Sequence, residues 1–153
     1  MPALDELEAF KAACLGTMIL NPEAYAFSLC NEMNNPREYP RGYVLTPDYY
    51  LGFYNSVYSI APSDARIMPG AIDPYNAGWG DWRTSWRYVL GRITGASGLT
   101  FHAYTHGPDL AKILSTEEFS DAPLLGVYYD LRVLESQQAI VPARFSSLPQ
   151  IVT

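Results

Sequence analysis

The sequence predicts an α/β fold of about four parallel strands alternating with four helices, and three observations carry that reading. Apolar residues recur at helical spacing in some stretches and gather in short runs in others. Helix-opening and helix-closing residues stand at the joins between them. The two kinds of segment alternate along the chain, with no linker, low-complexity tract or short-period repeat. Such alternation implies parallel pairing through right-handed crossovers.

Residues 4–19 place Leu4, Leu7, Phe10 and Cys14 among charges, with acidic residues in the first turn where they suit the helix dipole. Asn21-Pro22 ends this amphipathic helix. Residues 25–30 form a short apolar strand, followed by a polar loop rich in Asn, Pro and Arg. Thr46, Pro47 and Asp48 then supply an N-cap, a first-position proline and a first-turn acid. The helix they open runs toward Pro62.

Residues 65–71 read as a second strand. Its loop, IDPYNAGWGD, leads to a helix at WRTSWRYVLGRIT closed by Gly95. Residues 98–104 are a third strand. A long helix is expected within 118–139, and residues 148–153 begin a fourth strand.

With 153 residues, 48% of them hydrophobic and 17% charged, the chain has enough apolar material for a core. That balance excludes a disordered tail, a coiled coil and a collagen-like fibre. A single domain is expected. No apolar run approaches the ~20 residues of a membrane span, so no membrane partner is expected. The first residues lack the basic start and apolar core of a secretory signal, and the compartment stays open.

Sixteen acidic residues against ten basic ones give a net charge of −6, with only two lysines, Lys11 and Lys112. Nucleic-acid affinity comes from clustered Lys and Arg, so no nucleic-acid partner is expected. Cys14 and Cys30 read as free thiols behaving as small hydrophobes. His102 and His106 lack helical registration and a third ligand, so no metal site and no cofactor is expected.

The polar residues of interest follow the strands, at the end where α/β folds build their sites. Strand alternation directs Phe27, Leu29 and Asn31 one way, and Ser28, Cys30 and Glu32 the other. Glu32 then lies at a rim. By the same parity Thr100, His102 and Tyr104 share a face that fits a site wall. Tyr75, Trp79 and Trp82 sit in a Gly- and Asn-rich loop. Their rings either offer stacking platforms to sugar rings or cover helix ends.

Asn31-Glu32 after one parallel strand, His102-x-Tyr104 two strands later, and Leu-Pro-Gln-Ile-Val-Thr on the next strand resemble the clan A retaining glycoside hydrolases. These are (β/α)8-barrel enzymes that include cellulase-like and β-glycosidase families. In that clan the acid/base Glu follows an Asn on strand four, a His-x-Tyr commonly lies on strand six, and the nucleophilic Glu ends strand seven. The resemblance implies a partial TIM barrel, an internal segment running from about helix three to strand seven. Residues 1–153 would be a single incomplete barrel segment, against the ~250 residues of a whole barrel.

The resemblance also implies roles. Glu32 would be the general acid/base, and Asn31 would bond the sugar 2-hydroxyl. His102 would position substrate, and Tyr104 would orient a nucleophile lying just beyond Thr153. The substrate would be an oligosaccharide or glycoside with β-linked sugars. No carboxylate of the chain matches the nucleophile: Asp130 and Glu135 are expected inside the long helix, and Glu117 and Glu118 before it. Unpaired edges of the outer strands would invite self-association.

Two other readings stand beside this one. The first is a non-catalytic carbohydrate-binding or degenerate barrel protein that uses Tyr75, Trp79 and Trp82. The second is a small complete α/β binder, although Asn31-Glu32-Met33-Asn34 stands where a Gly-rich phosphate loop would be.

Overall fold

Among the described residues, two of the four α-helices begin at a side chain that accepts a first-turn N–H, and the other two begin without one. A computed structural model describes residues 2–40, 42–103 and 109–153. Tyr104 and His106 lie outside the described residues. After a 3₁₀ turn at Leu4–Glu6 comes α1 (Leu7–Leu20), and β1 (Phe27–Leu29) follows it. Thr46 caps α2 (Pro47–Ile60): its hydroxyl accepts the Tyr49 N–H at 3.1 Å, with Pro47 behind it. Tyr50, Phe53, Tyr54 and Val57 are the buried face of α2, the i, i+3, i+4, i+7 stripe of an amphipathic helix.

β2 (Ile67–Pro69) leads to α3 (Trp82–Arg92), capped by the Asp81 carboxylate, which accepts the Arg83 N–H at 3.0 Å. Trp82, Trp86, Val89 and Leu90 make the buried stripe of α3. The Arg144 guanidinium closes the other end, donating to the carbonyls of Leu90 (2.9 Å) and Ile93 (2.8 Å). β3 (Leu99–Phe101), α4 (Val133–Gln138) and β4 (Gln150–Val152) complete the order.

The strands pair in parallel as two two-stranded sheets, β1 with β2 and β3 with β4. Phe27 faces Ile67 and Leu29 faces Pro69 in the first; Leu99 faces Gln150 and Phe101 faces Val152 in the second. Polar contacts stitch the sheets together, among them the Ser28 and Thr100 hydroxyls at 3.4 Å. Ser97 N–H donates to the Ile67 carbonyl (2.8 Å), and the Thr100 hydroxyl donates to the Pro69 carbonyl (2.6 Å). Where a side chain takes that carbonyl, the backbone ladder is not continuous. The architecture is therefore mixed α/β with short parallel strands, and among the described residues no barrel is closed by backbone pairing.

The long helix expected within 118–139 is not formed; only Val133–Gln138 is α-helical. Pro123 removes a backbone donor and Gly126 adopts φ 76°, so the chain turns back on itself instead. Phe119 N–H meets the Val127 carbonyl at 2.9 Å, and Glu118 bridges Tyr128 antiparallel. Asp130 thus stands before α4 and not within it, its carbonyl accepting the Val133 N–H. Glu135 does lie in α4. The apolar stretch that suggested a long helix buries Leu124 and Val127 from a loop.

The core lies between α2, α3 and the strands, and is dominated by aromatic rings. Several of their polar tips find backbone partners, as burial of such groups favours. Trp79 donates its indole N–H to the Leu45 carbonyl and Trp82 to the Pro74 carbonyl, both at 2.9 Å. Tyr54 donates to the Gly95 carbonyl at 3.0 Å. Among the described residues no helix is long and apolar enough to cross a membrane.

Candidate functional site

All four strands deliver residues to one place from their carboxyl ends. β1 is followed by Asn31, Glu32, Asn34 and Asn35, β2 by Asp73, β3 by His102, and β4 by Thr153. His102 is the hub. Its Nε2 lies 3.0 Å from Asn31 Oδ1 and 3.4 Å from Glu32 Oε1, while its Nδ1 lies 2.9 Å from the Thr153 main-chain oxygen. A main-chain oxygen only accepts, so Nδ1 carries a proton. Gln137, fully buried on α4, holds the His102 backbone by donating to its carbonyl at 2.7 Å.

Glu32 and His102 keep 19% and 12% of their side-chain surface exposed, so both are largely shielded from water. The two side chains expected to diverge, Asn31 and Glu32, instead converge on the same imidazole. Strand alternation stops at Leu29 because Cys30 (φ 68°) and Glu32 (φ 45°) adopt left-handed backbone. Non-glycine residues held there are uncommon and concentrate at functional sites. Gly70 makes room for the bend: a Cβ on it would sit 2.2 Å from the Cys30 carbonyl oxygen.

Burial pushes the Cys30 thiol up to about 12, the chain's amino terminus working against it and Cys14 with it. A thiol so far from ionisation is no nucleophile at neutral pH. Among the described residues, no group of three or more His, Cys, Asp or Glu side chains is placed to hold a metal ion.

Asn34 and Asn35 lock the loop after β1 to the loop after β2. Asn34, fully buried, donates to the carbonyls of Asp73 (2.7 Å) and Asn76 (3.0 Å) and accepts the Asp73 N–H (2.8 Å). Asn35 donates to Glu32 Oε2 (3.0 Å) and to Asp73 Oδ2 (3.3 Å). Sequence reasoning passed over Asn35, Asp73 and Gln137. The available signal was positional: each of the first three strands is followed within a few residues by a polar side chain, and Asp73 fills that place after β2.

Comparison with known protein families, curated proteins and solved structures finds no match to this chain.

The aromatic loop residues are placed differently from a sugar platform. Trp82 is fully buried and Trp79 is 9% exposed. Trp79 packs on Tyr50 and Trp86 at ring-centroid distances of 6.4 and 6.5 Å. A ring whose faces meet other side chains has none left for a pyranose, so the stacking role expected of these two tryptophans is corrected to a core role. Tyr75 is half-buried, its hydroxyl donating to the Asp130 carbonyl at 3.4 Å and its ring 6.0 Å from Phe119. Burial raises the Tyr75 hydroxyl, and the charges of Asp130 and Asp73 raise it further, so it stays a protonated donor.

Proposed function

We propose that this chain is part of a retaining glycoside hydrolase acting on β-linked sugars, with Glu32 as its general acid/base. The observation that carries the reading is the convergence of Glu32, Asn31 and His102 at the carboxyl ends of parallel strands. β4 ends against the same imidazole through Thr153. A (β/α)8 barrel, of which these strands would be an arc, builds its sites at that end.

In this reading Glu32 donates a proton to the glycosidic oxygen as the bond to the leaving sugar breaks. It then takes a proton from the water that releases the sugar from a covalent intermediate. Asn31, exposed beside it, bonds the sugar 2-hydroxyl. His102 holds Asn31 and Glu32 on one side of the substrate. In this reading the nucleophilic carboxylate would come from outside residues 1–153, about 5–5.5 Å from Glu32, the separation that retaining chemistry requires. The partner is an oligosaccharide or glycoside.

The experiment is to express the reading frame as it continues past Thr153 and assay it on aryl β-glycosides. Glu32→Gln is expected to lower kcat/KM about 10²- to 10⁴-fold on substrates whose leaving group needs a proton. Full activity in that variant, or no hydrolysis by the extended protein, overturns the assignment.

A further inference from the structure

We propose that Asn35 is a positioning residue that decides which oxygen of Glu32 carries the transferable proton; the proposal rests on the reading of Glu32 as acid/base. The amide of Asn35 has two N–H donors and two acceptor lone pairs, and all four are engaged. Nδ2 donates to Glu32 Oε2 at 3.0 Å and to Asp73 Oδ2 at 3.3 Å. Oδ1 accepts the Arg37 main-chain N–H at 3.0 Å and the Asn76 side-chain amide at 3.1 Å.

The orientation of the amide follows from chemistry. The Arg37 main-chain N–H can only donate, so the atom facing it is the oxygen. Nδ2 is therefore the atom that faces the two carboxylates. Asn35 is only 8% exposed, so water has little room to replace any of the four bonds. The turn beneath is tied as well, since the Asn35 N–H donates to the Glu32 carbonyl at 2.8 Å and puts both side chains on one side.

Glu32 Oε2 is thus occupied by a fixed donor, while Oε1 faces the His102 edge at 3.4 Å. The oxygen already accepting an N–H keeps its electrons engaged there, so the proton rides on Oε1, the oxygen at the His102 edge. Asp73 takes the other N–H of the same amide and keeps it from rotating away. The loop after β2 therefore holds the acid of the loop after β1 twice, through the Ala71 carbonyl on the Glu32 main-chain N–H at 2.8 Å and through Asp73 and Asn35 on its carboxylate.

Two measurements test this. In the chain itself, side-chain amide ¹H–¹⁵N spectra of the parent, Glu32→Gln and Asp73→Asn are compared. The two Asn35 amide protons are expected to respond separately, one to each substitution. An Asn35 amide that ignores Glu32→Gln overturns the proposal.

In the extended protein, Asn35→Ala is expected to lower kcat/KM about 10-fold or more on an aryl β-glycoside with a poor leaving group. On a dinitrophenyl glycoside, whose leaving group departs without a proton, the loss should stay under about 3-fold. Equal losses on both substrates overturn the proposal, because a merely loosened site treats them alike. Full activity of Glu32→Gln on the poor leaving group would sink the acid/base reading itself, and with it any catalytic role for Asn35. The amide spectra would still report on the bridge.

Discussion

His102 and Asn31 stand 71 residues apart in the chain and meet at 3.0 Å, Nε2 to Oδ1. The imidazole also holds Thr153 through Nδ1, so one ring ties the ends of β1, β3 and β4 together. His102→Ala leaves the Asn31 amide and the Thr153 oxygen without this partner. The expected cost is about 1–3 kcal/mol, read as a lowered urea midpoint with an unchanged slope. An unchanged midpoint would show that the tie contributes nothing to stability.

Tyr50 carries a second tie, deeper in the core. Its hydroxyl donates to the Leu29 carbonyl at 3.1 Å and accepts the Gly70 N–H at 2.9 Å, bridging β1 and β2 just where the left-handed bend begins. The Gly70 N–H also meets the Leu29 carbonyl directly at 3.1 Å, so Tyr50→Phe removes the two hydroxyl bonds from a fully buried place and leaves that one backbone bond. A loss of about 1–2 kcal/mol is expected, which lowers Tm by roughly 2–8 °C on a thermal melt. A melt within a degree of the parent would refute the bridge.

Alkaline pH should unfold the protein. Burial holds the hydroxyls of Tyr50 and Tyr54 above their ordinary value, and nearby tyrosines push in the same direction; Tyr75 is raised too, by burial and two carboxylates. The unfolded chain releases these protons near pH ~10 and the Cys30 proton near ~8.5, whereas folded Cys30 keeps its proton up to about 12. Above the unfolded values the unfolded state binds fewer protons, so stability is full below ~8.5 and falls as pH rises. Tyrosinate absorbance followed with circular dichroism should show several tyrosines ionising together with loss of structure. Ionisation of all twelve tyrosines near pH ~10 in a chain that stays folded would contradict the burial.

The tryptophans give an optical test of the site. All three are buried: Trp79 is 9% exposed, Trp82 0% and Trp86 1%. Emission should be blue-shifted in the folded chain, move red on unfolding, and stay put when an oligosaccharide is added. Quenching of the folded chain by sugar would restore the tryptophans as a stacking surface.

The helix starts were legible because their causes are local. Thr46-Pro47 and Asp81 satisfy the first free N–H groups with atoms two or three residues away, and any reading of the chain meets them together. Alternation of elements and parallel pairing were legible for a similar reason, since periodicity is written residue by residue. The helix expected within 118–139 failed because Pro123 and Gly126 outweighed apolar spacing, and because Leu124 and Val127 could be buried from a turn.

Glu32, Asn31 and His102 stood out in the sequence by type and by their place after strands. Their mutual geometry did not. Parity sent Asn31 and Glu32 to opposite sides, and the left-handed backbone at Cys30 and Glu32, made possible by the bare Gly70 opposite, brought both to one imidazole. Asn35 and Asp73 were invisible for the same cause, because their bond to each other spans two loops 38 residues apart.

What the sequence by itself determined was the order and kind of the elements, the polar character of the strand ends and the presence of a carboxylate among them. Hydrophobic period and capping act over a few residues, and they are complete in the one-dimensional string. Only the tertiary structure decided which polar ends meet, that the sheet is broken into two pairs at the Thr100–Pro69 contact, and that the loop tryptophans belong to the core. Those outcomes depend on how rings from α2 and α3 fill the space beneath the strands, a competition for volume and for hydrogen-bond partners that no local stretch contains.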